Sequence, residues 1–150
     1  MRSDFPALTN IPDLRQVWKE SFGDDEIFLD DFFSAAFLPD HCRCVLDGDR
    51  AVAAVYWMDC TCDGHRLAYI YALAVRPDHR GQGMSRYLMA DARNILTARG
   101  YEGILLVPGD GGLREMYRAM DFTDCTSIRE YVCGSVSGVV DIHSVTRDEY

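Results

Sequence analysis

From Cys42 to Val75 the apolar residues follow a period of two, broken only at Gly48-Asp49 and Asp63-Gly64. Alternation places successive side chains on opposite faces of a strand, and a Gly/Asp pair between two such runs makes a tight hairpin turn. The spacing predicts a three-strand antiparallel meander, CRCVLD, RAVAAVYWMDCTC and HRLAYIYALAV. Connections this short admit no parallel pairing. With two-residue turns, Cys44 faces Ala53 and Cys42 faces Val55; in the second hairpin Cys62 faces His65 and Cys60 faces Leu67.

Helical spacing flanks the meander. Thr9 or Asn10 caps a first helix with Pro12 in its opening turn, Leu14, Val17, Trp18 and Phe22 as its stripe, and Gly23 as its stop. Asp24-Asp25-Glu26 opens a second helix, where the dipole favours acids. Its stripe is Ile27, Phe28, Phe32, Phe33, Ala36 and Phe37, and Pro39 ends it. After Val75, helical spacing resumes over Arg80–Arg99 through Leu88, Ala92, Ile95 and Leu96, with Gly100 as the stop. Gly103 to Val107 is apolar throughout and reads as a strand buried on both faces. A short helix over Leu113–Met120 and an alternating stretch over Asp124–Val132 follow. Val139 to Val145 reads as one more strand, and Thr146-Arg147-Asp148-Glu149 spells a capping box just before Tyr150. A helix start with no helix suits either a shortened chain or a frayed tail. The expectation is one α/β domain over residues 1–150, a mixed sheet with an antiparallel N-terminal meander flanked by helices.

The 150 residues are 48% apolar and 26% charged, enough for one sizeable core and incompatible with wholesale disorder. A net charge of -9 repels phosphate backbones and argues against a nucleic-acid partner. No apolar run approaches the ~20 residues of a membrane span, and the N-terminus lacks a signal-peptide core, so a cytoplasmic address is expected. Four of the six cysteines form the pairs Cys42-Arg43-Cys44 and Cys60-Thr61-Cys62. That spacing differs from the zinc knuckle, and the hairpin arithmetic sets the pairs far apart. Buried free thiols, with no metal site, are expected.

The meander gives way to helix through VRPDHRGQGMSRYL, residues 75–88. The first amides of a helix lack intrahelical acceptors and sit at the positive end of its dipole. Side-chain-free Gly81 and Gly83 let a diphosphate approach them, Arg80 adds a cation and Ser85 a hydroxyl. A Walker loop requires lysine then serine or threonine, whereas Met84-Ser85-Arg86 follows here. A dinucleotide fingerprint requires a third glycine and a βαβ setting; both are missing.

The stretch resembles the acyl-CoA-binding motif of the GNAT superfamily of N-acetyltransferases, Q/R-x-x-G-x-G/A. Arg80-Gly81-Gln82-Gly83-Met84-Ser85 matches it, with Ser85 in place of the last small residue. Tyr71-Ala72-Leu73-Ala74-Val75 followed by Arg76-Pro77 looks like the family's lead-in strand. Downstream, Gly109 to Phe122 resembles the segment N-x-x-A-x-x-x-Y-x-x-x-G-F. Tyr117 and Phe122 fit, Asp110 replaces Asn, Leu113 replaces Ala and Asp121 replaces Gly. Asp121 is therefore expected in a left-handed turn, and the usual asparagine contact is in doubt at Asp110.

The resemblance implies acetyl-CoA as cosubstrate, with the diphosphate on residues 80–85 and the thioester arm on the backbone of Leu73, Ala74 and Val75. It implies acetyl transfer to an amine through a tetrahedral intermediate, with no metal, and leaves room for a homodimer. Tyr117 is the implied acid for the departing thiolate, since a phenol of pKa ~10 matches such a leaving group. Many relatives carry a glutamate base where Tyr69 or Tyr71 stands here. No acid occupies that stretch; Asp59, His65 or an acid of the second helix acting through water remains, as does an amine arriving neutral. His79 reads as a solvent-facing loop residue. Trp18, Phe22, Phe28, Phe32, Phe33, Tyr56 and Trp57 among Asp24, Asp25, Asp30 and Asp31 suit a cationic acceptor with an apolar body. The rival reading is a catalytically degenerate acyl-CoA sensor or interaction module.

Overall fold

The computed structural model describes residues 2–125. The expected strands over Asp124–Val132 and Val139–Val145 and the capping box at Thr146 lie wholly or almost wholly outside them. Five strands form one sheet in sequence order: β1 (Ser3–Asp4), β2 (Cys42–Asp47), β3 (Arg50–Cys62), β4 (His65–Val75) and β5 (Gly103–Leu106). The first four pair antiparallel, and β5 joins β4 in parallel. A mixed sheet of this kind needs a long crossover before β5, and a helix supplies it.

The helices divide between the faces. Helix α1 (Ile11–Phe22) buries Leu14, Val17 and Trp18, begins after Asn10 and ends at Gly23 with φ 78°. It lies over one face with α2 (Glu26–Asp31), whose Asp25 cap accepts the Phe28 amide at 2.8 Å. Helix α3 (Met84–Ala98) covers the other face through Leu88, Met89, Ala92 and Leu96, and α4 (Gly111–Arg118) follows β5. Arg43 ties sheet to helix, its Nε donating to Asp91 Oδ2 on α3 at 2.6 Å and its guanidinium lying 4.4 Å over the Phe5 ring. No helix among the described residues is long and apolar enough to cross a membrane.

Several boundaries and registers differ from expectation. The turn at Gly48-Asp49 forms, yet a bulge between Val45 and Leu46 slips the pairing by one residue. Cys44 therefore faces Ala54 and Cys42 faces Tyr56. Alternation is blind to a bulge that inserts a residue beside the turn. The second hairpin keeps the expected pairs, Cys62 with His65 and Cys60 with Leu67. Cys42 and Cys44 are buried free thiols, whereas Cys60 is half-buried and Cys62 exposed, because the hairpin tip outruns the core.

The second helix is only six residues of α-helix, then a wider π turn over Phe32–Ala36 closed by Phe37 N–H to the Phe32 carbonyl at 2.8 Å. Leu29 lies three residues before the buried Phe32 and so shares its face, whereas Ile27, five before it, does not. Leu29 is buried in place of Ile27, which is 73% exposed. The third helix starts at Met84 because two glycines at φ 76° and 78° interrupt the chain before it. The fourth spans Gly111–Arg118, since Asp110 caps it and accepts the Leu113 amide at 2.8 Å. Strand β5 is half-buried along its length, and its described pairing is to β4 alone.

Asp121 has φ 66°, the left-handed conformation expected where relatives carry glycine. Backbone closure explains it: the Phe122 amide returns to the Tyr117 carbonyl at 3.1 Å and the Asp121 amide to Arg118 at the same distance. An L-residue there is strained by up to ~1–2 kcal/mol, less for Asp. Asp121→Gly should raise the unfolding free energy by about 0.5–1 kcal/mol, read from the urea midpoint, after the greater chain entropy of glycine is offset.

Candidate active site

Pairing between β4 and β5 stops at Ile70 and Leu106, although β4 continues to Val75. A second bulge opens the gap. Tyr56 pairs with Ala72 and Trp57 with Ile70, so Tyr71 is an extra residue on β4. An extra residue switches which backbone groups face outward. Before it, Arg66 offers its carbonyl to the β5 side, accepting the Glu102 amide at 2.8 Å. After it, the Arg76 amide bonds Val52 on β3 at 3.0 Å. Alternation from that bond directs Ala74 and Ala72 toward β3 and leaves Leu73 and Val75 facing the opening.

The opening is a cleft of about 540 Å³ between the diverging strands, lined by Leu73, Val75, Arg80, Ser85, Met116 and Tyr117 among others. The Val75 carbonyl accepts Arg80 Nε at 3.1 Å and Ser21 Oγ at 3.4 Å. A second hollow of about 250 Å³ lies at the start of α3, bounded by His79, Arg80, Gly81, Gly83, Met84, Ser85 and Arg86. Val75, Arg80, Ser85 and Met116 line both, so the two form one trough.

At the hollow the first intrahelical bond runs from the Tyr87 amide to the Gly83 carbonyl at 3.0 Å. The amides of Met84, Ser85 and Arg86 therefore have no intrahelical acceptor, and the first turn holds no acid. A Cβ built on Gly81 or Gly83 meets nothing within 4 Å, so the space before the amides is open. An anion of diphosphate size fits this end of the trough on charge and donors alike.

Tyr117 stands at the other end. Its ring packs edge-on to Phe122 with centroids 5.8 Å apart, and its hydroxyl has no hydrogen-bond partner among the described residues. Burial pushes the phenol above its ordinary pKa. Asp110, about two turns away, is engaged in capping α4 and does not line the trough.

The structure gathers Leu73, Val75, Arg80, Gly81, Gly83, Met84, Ser85 and Tyr117 along one trough. Two predicted residues stand apart. Ala74 turns its backbone to Ala54 on β3, and Gln82 is exposed outside the lining. His79 is not a free loop residue; its side chain, 21% exposed, sits between Asp78 Oδ1 at 2.7 Å and Asp47 Oδ2 at 3.6 Å. Those carboxylates raise its pKa, the Asp78 hydrogen bond foremost.

The candidate bases fall elsewhere. Asp59 accepts the Tyr101 hydroxyl and His65 Nδ1 meets Glu102 Oε1 at 3.0 Å, both away from the cleft. Of the acids proposed for a cation, Asp24 accepts Trp18 Nε1 at 2.8 Å, Asp25 caps α2, and Asp30 holds Arg15 at 2.7 Å. Trp18, Phe32, Tyr56 and Trp57 are core. Sequence reasoning missed Ser21, Met116 and Val107. Ser21 reaches Val75 across 54 positions of chain, a contact without local signal. Among the described residues no three His, Cys, Asp or Glu side chains group to hold a metal ion.

A sequence profile of the Acetyltransferase (GNAT) family matches residues 8–122. The chain belongs to the GNAT acetyltransferase family. No curated protein sequence matches this GNAT chain. Among solved structures it is similar to a possible acetyltransferase from Clostridium difficile 630, at 17% identity and TM-score 0.73, covering 89% of this chain and 98% of that one. An aminoglycoside acetyltransferase from an uncultured soil metagenomic sample matches at 18% identity and TM-score 0.66, over 89% and 95%. The ribosomal-protein-alanine N-acetyltransferase of Brucella melitensis biovar Abortus 2308 matches at 17% and 0.67, over 89% and 99%. At such identities the likeness establishes the GNAT fold.

Proposed function

We propose that this chain transfers an acetyl group from acetyl-CoA to a primary amine by direct attack. The observation that carries this reading is the single trough joining unbonded helix amides to the outward backbone of Leu73 and Val75 and the phenol of Tyr117. The bound cosubstrate supplies an electrophilic thioester carbonyl. The chain supplies the rest.

The amides of Met84, Ser85 and Arg86 hold the diphosphate, with Arg80 and Arg86 at the rim. Arg80 must leave the Val75 carbonyl, or share it, when the arm lies along β4. The amides of Leu73 and Val75 face the opening, where they can donate to developing negative oxygen; such donors are worth ~10²–10³ in rate each. Tyr117 gives its proton to the departing sulfur. The amine proton leaves after attack, to solvent or to a second acceptor molecule.

Calorimetric titration with coenzyme A tests the grip, and free-thiol release from acetyl-CoA with an amine panel tests the transfer. Heat with thiol release supports the enzyme. Heat without release on any amine favours the sensor reading, and no heat with no thermal shift removes both.

A further inference from the structure

We propose that the acceptor is a weakly basic amine on an aromatic or branched aliphatic body, accepted in the neutral form without a dedicated base; this rests on the acetyl-transfer reading. Seven large apolar side chains are exposed among the described residues, and four of them, Phe22, Tyr71, Val107 and Leu113, line the cleft between β4 and β5 that ends at Tyr117. Scattered singly, such residues need no account; gathered on one cleft they mark a ligand surface. Phe22 and Tyr71 form one side, each within 6 Å of the Trp18 ring, which fixes their position. Val107 and Leu113 come from the far side, after β5 and on α4.

Charge selects among amines. Arg80 is the charged residue lining the cleft, and no described carboxylate or imidazole joins it. The acids predicted for a cation lie outside this lining: Asp24 accepts from Trp18, Asp25 caps α2, Asp30 pairs with Arg15 and Asp31 is exposed. Glu20 lies 3.4 Å from Arg76. A polycation entering this cleft meets a guanidinium and no counter-charge among the described lining residues.

Proton chemistry agrees. Attack needs a lone pair, and no described carboxylate or imidazole lines the cleft to free one; Asp124, in the adjoining hollow that Tyr117 also lines, is held by Arg114 at 2.9 Å and Arg118 at 2.6 Å. At pH 7 an amine of pKa ~10.4 is neutral in roughly one molecule in 2,500, whereas an α-amino group at ~7.7–8.0 is neutral in roughly one in ten. A site with no base among its described lining gains most from the second kind.

The test crosses basicity with body. Coenzyme A thiol release is measured at pH 7 for phenylalaninamide, glycinamide, phenethylamine, ethylamine and spermidine. Phenylalaninamide should exceed phenethylamine in kcat/KM by about tenfold or more, a gap that narrows as pH rises toward the pKa of the stronger base. It should exceed glycinamide by roughly tenfold or more, from burial of the ring. Phe22→Ser should lower kcat/KM for phenylalaninamide about tenfold more than for glycinamide; general damage would lower both by the same factor and overturn the assignment. Spermidine or ethylamine matching phenylalaninamide, or a phenethylamine rate as high at pH 7 as at pH 10, overturns the assignment. If coenzyme A still binds with heat, only the acceptor assignment is lost; absence of heat takes the transfer reading with it.

Discussion

Gly81→Val combined with Gly83→Val weakens coenzyme A binding by about a hundredfold or more, measured by calorimetry, while the fold persists. Both glycines have φ near +77°, at 76° and 78°. A β-branched residue costs more there than the ~1–2 kcal/mol of an ordinary left-handed residue, so the loop leaves this path. The amides of Met84 and Ser85 then lose their aim. A hydrogen bond to a charged group is worth ~1.5–3 kcal/mol, so two lost bonds amount to ~3–6 kcal/mol, or about 10²–10⁴ in Kd. Core packing is untouched, because a Cβ at either position meets nothing within 4 Å. Gly64→Val is the control. It carries the same strain at φ 83° in a hairpin distant from the trough, so it should lower stability and leave the affinity alone. Equal affinities for double variant and wild type would show that the diphosphate binds elsewhere.

Tyr117→Phe lowers turnover by about 10²–10⁴ and leaves coenzyme A affinity within about twofold. The substitution removes one oxygen. The ring keeps its place against Phe122, and no described hydrogen bond is broken. Burial raises the phenol above its usual pKa, so the donor stays protonated through neutral and mildly alkaline pH. The sign follows from the role: an acid is lost as pH climbs through its own raised pKa. The wild-type profile should therefore show no fall assignable to Tyr117 until above pH ~10. Unaltered turnover in the variant would remove Tyr117 from the chemistry.

Much of the fold was readable because local physics repeats. Period-two runs and Asp-Gly turns gave β2 to β4, and periodicity with Gly23 and Gly100 as stops gave α1 and the end of α3. The glycine turn that opens α3, the proposed diphosphate end, was legible for the same reason, since such a turn and the helix after it are neighbours in sequence. Asp121 was foreseen in a left-handed turn and stands in one. Bulges were not foreseen. One at Val45-Leu46 moved the cysteine pairs by a residue, and one at Tyr71 decides that Leu73 and Val75 face the cleft while Ala74 does not.

By itself the sequence determined what each short segment wants: strand, turn, helix, and a phosphate-friendly start to α3. Tertiary structure alone decided which side chains meet. Ser21 reaches Val75, Asp25 caps α2 while Asp30 pairs with Arg15, and Phe22, Tyr71, Val107 and Leu113 converge from distant elements. Propensity and capping act within a few residues of chain, whereas the lining of a cleft is set by contacts between elements that no local pattern links.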